Sequence, residues 1–191
     1  MNHSEKIVNI LAESIAVKKA FMEDASSVEK VTDAVRAIKE CYDRKGKLLV
    51  FGNGGSAADS QHIAAEMVVR FKRERKALAC VSLATDTSIL TAASNDYDFS
   101  KVFVRQLEAL LREEDLVFAI STSGVSANVV DAAEYARKMK VPVIALTGKG
   151  GGDLAKIADI SIVVNSSVTA RIQETHSAVI HAICELVEEE L

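Results

Sequence analysis

The sequence predicts an α/β protein in which a parallel sheet is covered by helices on both faces. Five short apolar runs are rich in Val, Ile and Leu. Most are too continuous to be half-exposed strands, which is typical of strands buried on both faces. Helical patterns separate these runs. Alternation of strands and helices favours right-handed crossovers and parallel strand pairing.

The elements follow one another in a simple order. Two helical stretches, about Glu5–Met22 and Val28–Asp43, precede the first strand. The predicted strands are Lys47–Phe51, Cys80–Ala84, Leu116–Ile120, Val143–Thr147 and Ile160–Val164. Helices are predicted between them over Ala57–Arg70, Lys101–Leu111 and Ala127–Lys140. A long amphipathic helix, Ala170–Leu191, follows the last strand.

Composition narrows the class of protein. The 191 residues fit one domain with a sizeable core. A formal net charge of -4 argues against a broad basic surface for nucleic acid or anionic lipid. No apolar run approaches the roughly 18 residues that cross a membrane, and no signal-peptide core is present. Cys41, Cys80 and Cys184 lie outside any CxxC motif, which predicts unpaired thiols in a reducing cytoplasm.

Three strand ends carry unusual residues. Ligands of parallel sheets bind beyond the carboxyl ends of the strands. The stretches at these ends are "GNGGS" (Gly52–Ser56), "STSGVS" (Ser121–Ser126) and "TGKGGGD" (Thr147–Asp153). The first two predict a ligand site, whereas the glycine run of the third is expected to serve mainly as a turn.

The first stretch predicts a turn in which backbone N–H groups approach an anion. Adjacent glycines permit positive φ and close approach of a ligand to the backbone. Ser56, with Asp59 three residues on, is expected to begin the next helix as an N-cap with a capping box. A plain strand-to-helix turn remains the simpler alternative.

Dinucleotide binding is a weaker alternative for the same turn. Gly52, Gly54 and Ala57 satisfy the pattern G-x-G-x-x-A. The acid that binds the ribose should lie about 20 residues on, at the end of the second strand. The acid at that strand end is Asp86, which is 34 positions after Gly52. The lysine-bearing phosphate loop G-x-x-x-x-G-K-[ST] is absent from the sequence.

The second stretch predicts a phosphate site that needs no lysine. Ser121, Thr122, Ser123 and Ser126 place four hydroxyls around Gly124 where a helix begins. A helix N-terminus offers unpaired N–H groups and a partial positive charge to an anion. A serine-rich helix cap is the alternative reading.

A second group of candidate site residues contains two histidines on predicted helices. His62 and Glu66 are four residues apart on a predicted helix and share one face. Gln173 and His181 are eight apart on the last helix, about 12 Å along its axis. His176 falls on that helix's apolar stripe and is expected to be packed. Imidazole and carboxylate near a phosphate loop can bind zinc or move protons near neutral pH.

These residues lie in stretches that resemble a known family. "FGNGGSAADSQHIAAE", "SNDY", "ISTSGVSANV", "LTGKGGG" and "ARIQETHSAVIHAICELVE" resemble phosphoheptose isomerases. Those are sugar isomerase (SIS) domain enzymes that convert sedoheptulose 7-phosphate to D-glycero-D-manno-heptose 7-phosphate. The resemblance covers nearly the whole chain.

The resemblance implies a single SIS domain over residues 1–191. Its five-stranded parallel sheet is flanked by helices, with residues 1–44 as an N-terminal helical extension and a long C-terminal helix. It also implies a cytoplasmic homotetramer, with active sites at subunit interfaces and with neither nucleic acid nor membrane as a partner. Its reaction would be the first step of ADP-heptose biosynthesis, which feeds lipopolysaccharide or another surface polysaccharide.

The resemblance further implies a set of site residues. Glu66 and His181 match the acid/base pair of the family. One zinc ion per subunit would be bound by His62, Glu66, Gln173 and His181. Substrate contacts are implied for Asn53, Gly54, Gly55, Glu66, Asn95, Asp96, Ser121, Thr122, Ser123, Ser126 and Gln173.

Two other functions remain open at this stage. Some SIS-domain relatives are tetrameric adaptors, including one that binds a bacterial replication initiator, and they lack the acid/base pair. The presence of Glu66 and His181 therefore favours an enzyme. An isomerase of another phosphosugar is the second alternative, because Val125 stands where many relatives have Asn.

Overall fold

The computed structural model describes residues 2–191 and contains a five-stranded sheet in which every strand pair is parallel. Its strands are β1 (Leu48–Gly52), β2 (Cys80–Ser82), β3 (Leu116–Ser121), β4 (Val143–Gly148) and β5 (Ile160–Val164). They lie in the order β2-β1-β3-β4-β5. This order reverses direction next to β1, and ligands of such sheets bind at that point.

The helices of the described residues cover both faces of the sheet. They are α1 (His3–Glu23), α2 (Ala25–Asp43), α3 (Gly55–Val68), α4 (Thr87–Asp96), α5 (Val104–Leu110), α6 (Ala127–Lys138), α7 (Leu154–Ile157) and α8 (Thr169–Glu190). A short 3₁₀ helix, Phe99–Lys101, precedes α5. None of the helices in residues 2–191 has the length and apolar character that crossing a membrane requires.

The core has two halves because strand side chains alternate between the faces of the sheet. Leu48 and Val50 of β1 pack with apolar residues of α2, α3 and α8 on one face. Leu49 and Phe51 pack with residues of α4, α5, α6 and α7 on the other. All residues of β1, β3 and β4 are buried, so these apolar runs mark strands covered on both sides. The edge strands β2 and β5 are partly exposed.

The predicted architecture is confirmed, with differences in local detail. Three short elements, α4, α7 and the 3₁₀ helix, were not predicted. The helix expected over Lys101–Leu111 is shorter, because the 3₁₀ helix ends at Lys101 and α5 begins only at Val104.

The predicted helix start at Ser56 is wrong. Helix α3 begins at Gly55, and its N-cap is Gly54, which has φ 55° and no capping side chain. Ser56 therefore lies inside the first turn, where it is 3% exposed. Asp59 makes no capping box; its carboxylate instead accepts a hydrogen bond from Ser177 of α8, at 3.1 Å.

Candidate active site

The glycine turn after β1 and the serine loop after β3 meet at the carboxyl edge of the sheet. Asn53 and Asn128 join them through two reciprocal amide hydrogen bonds of 2.8 Å each. A cavity of about 70 Å³ lies between the loops. It is lined by Asn53, Ser56, Ile120, Ser121, Thr122 and Ser126.

The serine loop is ordered by its own hydroxyls. Ser121 Oγ lies 3.2 Å from Ser126 Oγ and accepts a hydrogen bond from Gly124 N–H, also at 3.2 Å. Ser126 is the N-cap of α6, yet its side chain makes no capping hydrogen bond. Ser121, Thr122 and Ser126 therefore line a cavity beside the N-terminus of α6, an arrangement that suits an anion.

The glycine run after β4 packs directly against the backbone of the serine loop. Gly124 has φ 68°, and a Cβ at this position would lie 2.0 Å from Gly151 O. Leu154 N–H donates to Gly124 O at 2.9 Å. The run was predicted to serve as a turn; in the structure it is also the surface on which the serine loop rests.

Helices α3 and α8 run side by side in the same direction and carry matching polar residues. At the beginning, the Gln173 amide lies against Gly55, where an added Cβ would be 2.3 Å from Nε2. One turn on, Ser177 contacts Asp59. Asp59 Oδ2 is buried without a partner, and burial raises the pKa of this carboxyl.

The next turn brings the predicted acid/base residues together. His62 Nε2 and His181 Nε2 are 2.7 Å apart. Glu66 Oε1 lies 3.7 Å from the other ring nitrogen of His62, Nδ1. The Phe71 ring packs on the His181 ring with centroids 5.4 Å apart. A carboxylate and two imidazoles therefore form a continuous row, which is partly open to solvent.

The four predicted zinc ligands are only partly assembled. The donors are N and O atoms of the kind zinc accepts, and two imidazole nitrogens already face one another. Glu66, however, approaches the far nitrogen of His62, and Gln173 lies two turns away against Gly55. Within residues 2–191, no group of three or more His, Cys, Asp or Glu side chains converges as a metal site.

His176 is packed, as predicted. It is fully buried, and its Nε2–H donates to Thr147 O at 3.0 Å. Its Nδ1 is buried without a partner. Burial lowers the pKa of His176 to about 4, against a smaller opposing effect of the hydrogen bond to Thr147, so this histidine is neutral at pH 7.

Asn95 and Asp96 lie at the end of α4. Both are exposed, and Asn95 donates to Asp96 Oδ1 at 2.8 Å. In the described part of the chain, no hydrogen bond joins them to the glycine turn or the serine loop. Asp86, the acid weighed for dinucleotide binding, accepts from Ile89 N–H at 2.9 Å and caps α4 instead.

Sequence reasoning missed Asn128, although it lies within a stretch that carries the family resemblance. An amide in the first turn of a helix after a phosphate loop was the available signal. Its partner Asn53 is 75 residues away, so the pair becomes visible only after folding. The role of Phe71 was missed as well, because no local sequence pattern predicts that its ring packs on His181.

Comparisons with known proteins identify the family of the chain. Residues 11–148 match the family model described as "SIS domain". The chain is 48% identical to a phosphoheptose isomerase of Roseiflexus sp. over 185 residues, which cover 97% of this chain and 93% of that protein.

Two solved structures have the same fold along their whole length. The phosphoheptose isomerase of Neisseria gonorrhoeae is 43% identical, with a TM-score of 0.93 over 98% of this chain and 100% of that chain. That of Francisella tularensis is 34% identical, with a TM-score of 0.94 over 99% and 100%. The chain belongs to the phosphoheptose isomerase family of SIS-domain proteins.

Proposed function

We propose that this chain is an aldose–ketose isomerase that converts sedoheptulose 7-phosphate to D-glycero-D-manno-heptose 7-phosphate. The observation that carries the proposal is the row of Glu66, His62 and His181 on two helices beside a serine-lined anion cavity. The whole-length similarity to phosphoheptose isomerases supports this substrate. The acid/base residues argue against the adaptor alternative.

The serine loop is proposed to hold the phosphate. Its hydroxyls and the first N–H groups of α6 supply donors without any lysine, which fits the acidic net charge of -4. The open-chain sugar would then extend past the glycine turn toward α3 and α8, and its C1–C2 end would reach the imidazoles.

Glu66 and His181 are proposed to move the protons. The ketose loses a proton from C1 to the carboxylate while O2 gains one, which gives an enediol. Return of a proton to C2 and loss of the proton on O1 complete the aldose. A carboxylate and an imidazole suit these two kinds of transfer near neutral pH.

Zinc belongs to the proposal as a bound ion on His62, His181, Glu66 and Gln173. When bound, zinc would polarise a carbonyl oxygen or order the groups around it. The facing imidazoles support its presence, whereas the positions of Glu66 and Gln173 require both side chains to turn.

The zinc requirement can be measured directly. Because α3 and α8 also pack through apolar core residues, we expect chelated protein to stay folded and to bind zinc at about one ion per subunit. Activity should fall on chelation and return on addition of zinc. Full activity after thorough chelation, with no zinc bound on titration, would show that the metal is dispensable.

A homotetramer is proposed because much of the apolar surface of α1 is uncovered. Ile7, Leu11 and Ile15 are each more than half exposed. Asn95 and Asp96, which make no hydrogen bond to the glycine turn or the serine loop within residues 2–191, would then contribute to the active site of a neighbouring subunit. Unpaired Cys41, Cys80 and Cys184 support a cytoplasmic location, where the reaction would open ADP-heptose biosynthesis for lipopolysaccharide or another surface polysaccharide.

The deciding experiment is a substrate panel. Purified protein is incubated with sedoheptulose 7-phosphate and with pentose and hexose phosphates in deuterated water. We expect turnover of the heptulose phosphate with deuterium incorporated at the exchanging carbon. Faster turnover of another phosphosugar would reassign the substrate, and no exchange with any of them would contradict the isomerase.

A further inference from the structure

A buried carboxylate lies at the acidic end of α8. Glu185, Glu188 and Glu189 occupy the last turns of this helix, where the helix dipole disfavours negative charge. Glu185 and Glu189 pair at the surface with Lys72 and Arg73. Glu188 differs from both because only 5% of it is exposed, so its burial needs strong compensation.

That compensation comes from the 70–76 loop, the segment that follows α3. Glu188 Oε1 accepts from Phe71 N–H and Arg75 Nε–H, each at 3.0 Å. Oε2 accepts from Lys72 N–H at 2.7 Å and Arg73 N–H at 2.8 Å. Burial alone would raise the pKa of Glu188, but the three backbone donors and Arg75 outweigh it and lower the pKa to about 2.

One branch of this network reaches Glu66. Arg75 Nη2–H donates to Glu66 O at 2.8 Å, and Nη1–H donates to Met67 O at 2.8 Å. These carbonyls belong to the last turn of α3, where backbone acceptors have no partner within the helix. Arg75 is itself held by Glu188, so the backbone of the proposed base is tied to α8.

The other branch reaches His181. The 70–76 loop carries Phe71, whose N–H is held by Glu188 and whose ring packs on the imidazole of His181 at 5.4 Å. Lys72 Nζ lies 5.7 Å from the centroid of the same ring. The loop therefore contacts both members of the proposed acid/base pair, one through a guanidinium and one through an aromatic ring.

We propose that Glu188 is a positioning residue for proton transfer: it holds the 70–76 loop so that Phe71 fixes the ring of His181 and Arg75 fixes the backbone of Glu66. This inference rests on the proposed isomerase function. Glu188 touches no substrate in this account. Its effect follows from geometry, because a displacement of 1 Å can cost about 10²-fold in rate.

Glu188→Gln tests the inference with two matched controls. The amide keeps the size of the side chain but replaces one acceptor oxygen by a donor that faces N–H groups. We expect kcat to fall about 10- to 100-fold, with KM for the sugar phosphate within about twofold, because the serine loop is remote. Glu185→Gln and Glu189→Gln remove only surface pairs from the same helix and should leave kcat unchanged.

Substitution of Phe71 tests the branch that reaches His181 without disturbing the carboxylate. Phe71→Leu keeps apolar volume but removes the ring and should lower kcat without raising KM. Phe71→Tyr restores the ring and should recover most of the lost kcat. If Glu188→Gln fails to fold, this pair of variants decides the matter. Equal kcat in Phe71→Leu and wild type, or in a folded Glu188→Gln and Glu185→Gln, would overturn the proposal.

Amide hydrogen exchange separates this inference from the proposed function. In Glu188→Gln, exchange at Phe71, Lys72 and Arg73 should be faster than in Glu185→Gln, whatever reaction the protein catalyses. If the wild type isomerises no sugar phosphate, the proposed function fails by itself. Unchanged exchange in Glu188→Gln would show that the carboxylate does not hold the loop.

Discussion

The contact between His62 and His181 joins two ring nitrogens, of which one must donate and the other accept. Two ring nitrogens 2.7 Å apart need a hydrogen between them. Glu66 lies nearer the Nδ1 side of His62 and favours a hydrogen on that nitrogen. His62 Nε2 is then the acceptor and His181 Nε2–H the donor. Under the proposed function, Glu66, His62 and His181 act as a single proton-transfer unit.

Replacement of either end of this unit should stop turnover and spare binding. Glu66→Gln keeps size but removes the base, and His181→Gln removes the imidazole. Each should lower kcat by about 10²–10⁴-fold, the usual contribution of a positioned acid or base. KM should change little. Initial rates and solvent deuterium incorporation measure both effects.

Gln61→Ala is the matched control for these variants. Gln61 is exposed on the same helix as His62 and Glu66, so its truncation should leave kcat and KM as in the wild type. Near-normal turnover in Glu66→Gln or His181→Gln would make that residue a spectator and would favour the adaptor alternative.

His176 should make stability depend on pH in a defined window. Burial lowers its pKa from 6.5 to about 4. Between these two pH values the histidine is protonated in the unfolded chain and neutral in the folded chain. Stability is therefore complete above pH 6.5 and falls as the pH approaches 4. The full loss is about 3 kcal/mol at 1.36 kcal/mol per unit of pKa.

Denaturant unfolding of wild type and His176→Gln across this window measures the effect. Gln keeps a donor for Thr147 O but does not titrate. The cavity left by the smaller side chain lowers the stability of the variant by an amount that does not depend on pH, so the informative quantity is the slope of stability against pH. A stability difference between the two proteins that stays constant from pH 7 to pH 4 would contradict the lowered pKa.

Strands were the easiest elements to predict. Each of the five apolar runs coincides with an observed strand. The central strands β1, β3 and β4 are buried on both faces, which leaves an unbroken apolar signature, whereas the edge strands β2 and β5 are partly exposed. Helix α4 (Thr87–Asp96) was missed because its Thr, Ser, Asn and Asp residues read as loop. The start of α3 was misplaced because serine is the commoner N-cap, yet Gly54 takes that position with φ 55°.

The loops of the site could be predicted as ligand-binding, but their mutual support could not. The hydroxyls of the serine loop predict a phosphate site from sequence alone. The close packing of Gly124 on the backbone of Gly151 is visible only in the folded structure. Likewise Glu188 lies in an acidic helix end that reads as solvated, and only folding places the 70–76 loop over it. These contacts join segments that are far apart in sequence, so no local sequence pattern predicts them.

Gly124→Ala should therefore weaken substrate binding. A Cβ at this position would lie 2.0 Å from Gly151 O, and φ is 68°, so the serine loop must shift off the glycine run. We expect KM for the sugar phosphate to rise about tenfold, equivalent to ~1.4 kcal/mol, with a smaller change in kcat. Steady-state kinetics and phosphate inhibition measure the change.

Gly150→Asn is the control for the effect of positive φ alone, because Gly150 has no close neighbour. Gly150 also has positive φ, but a Cβ there would meet nothing within 4 Å, and Asn tolerates positive φ better than other residues. Its KM should stay close to that of the wild type. Equal KM values for the two variants would show that contact between the two loops does not shape the phosphate site.

The molecule as a whole exposes a large apolar surface along α1. Only Ser14 of α1 is buried, while Ile7, Val8 and Met22 are 57%, 63% and 67% exposed. An apolar groove of about 350 Å³ runs between α1, α2 and α8. A surface of this kind is typical of interfaces between proteins. Because α8 lines the groove and also carries Gln173 and His181, the proposed tetramer would place an interface and the proposed active site on one helix.

Negative charge on the exposed apolar face of α1 should dissociate the proposed tetramer and lower its activity. Leu11 and Ile15 are 57% and 66% exposed and lie one turn apart. Leu11→Glu combined with Ile15→Glu would bury two carboxylates in the proposed interface, at a cost no local contact offsets. Sedimentation should then show a smaller species, and turnover should fall with it if neighbouring subunits complete the site. Leu11→Ala combined with Ile15→Ala removes apolar area at the same two positions without adding charge, and should weaken the assembly less than the two glutamates do. A fully active monomer from the double variant would separate catalysis from assembly and place every necessary residue within one chain.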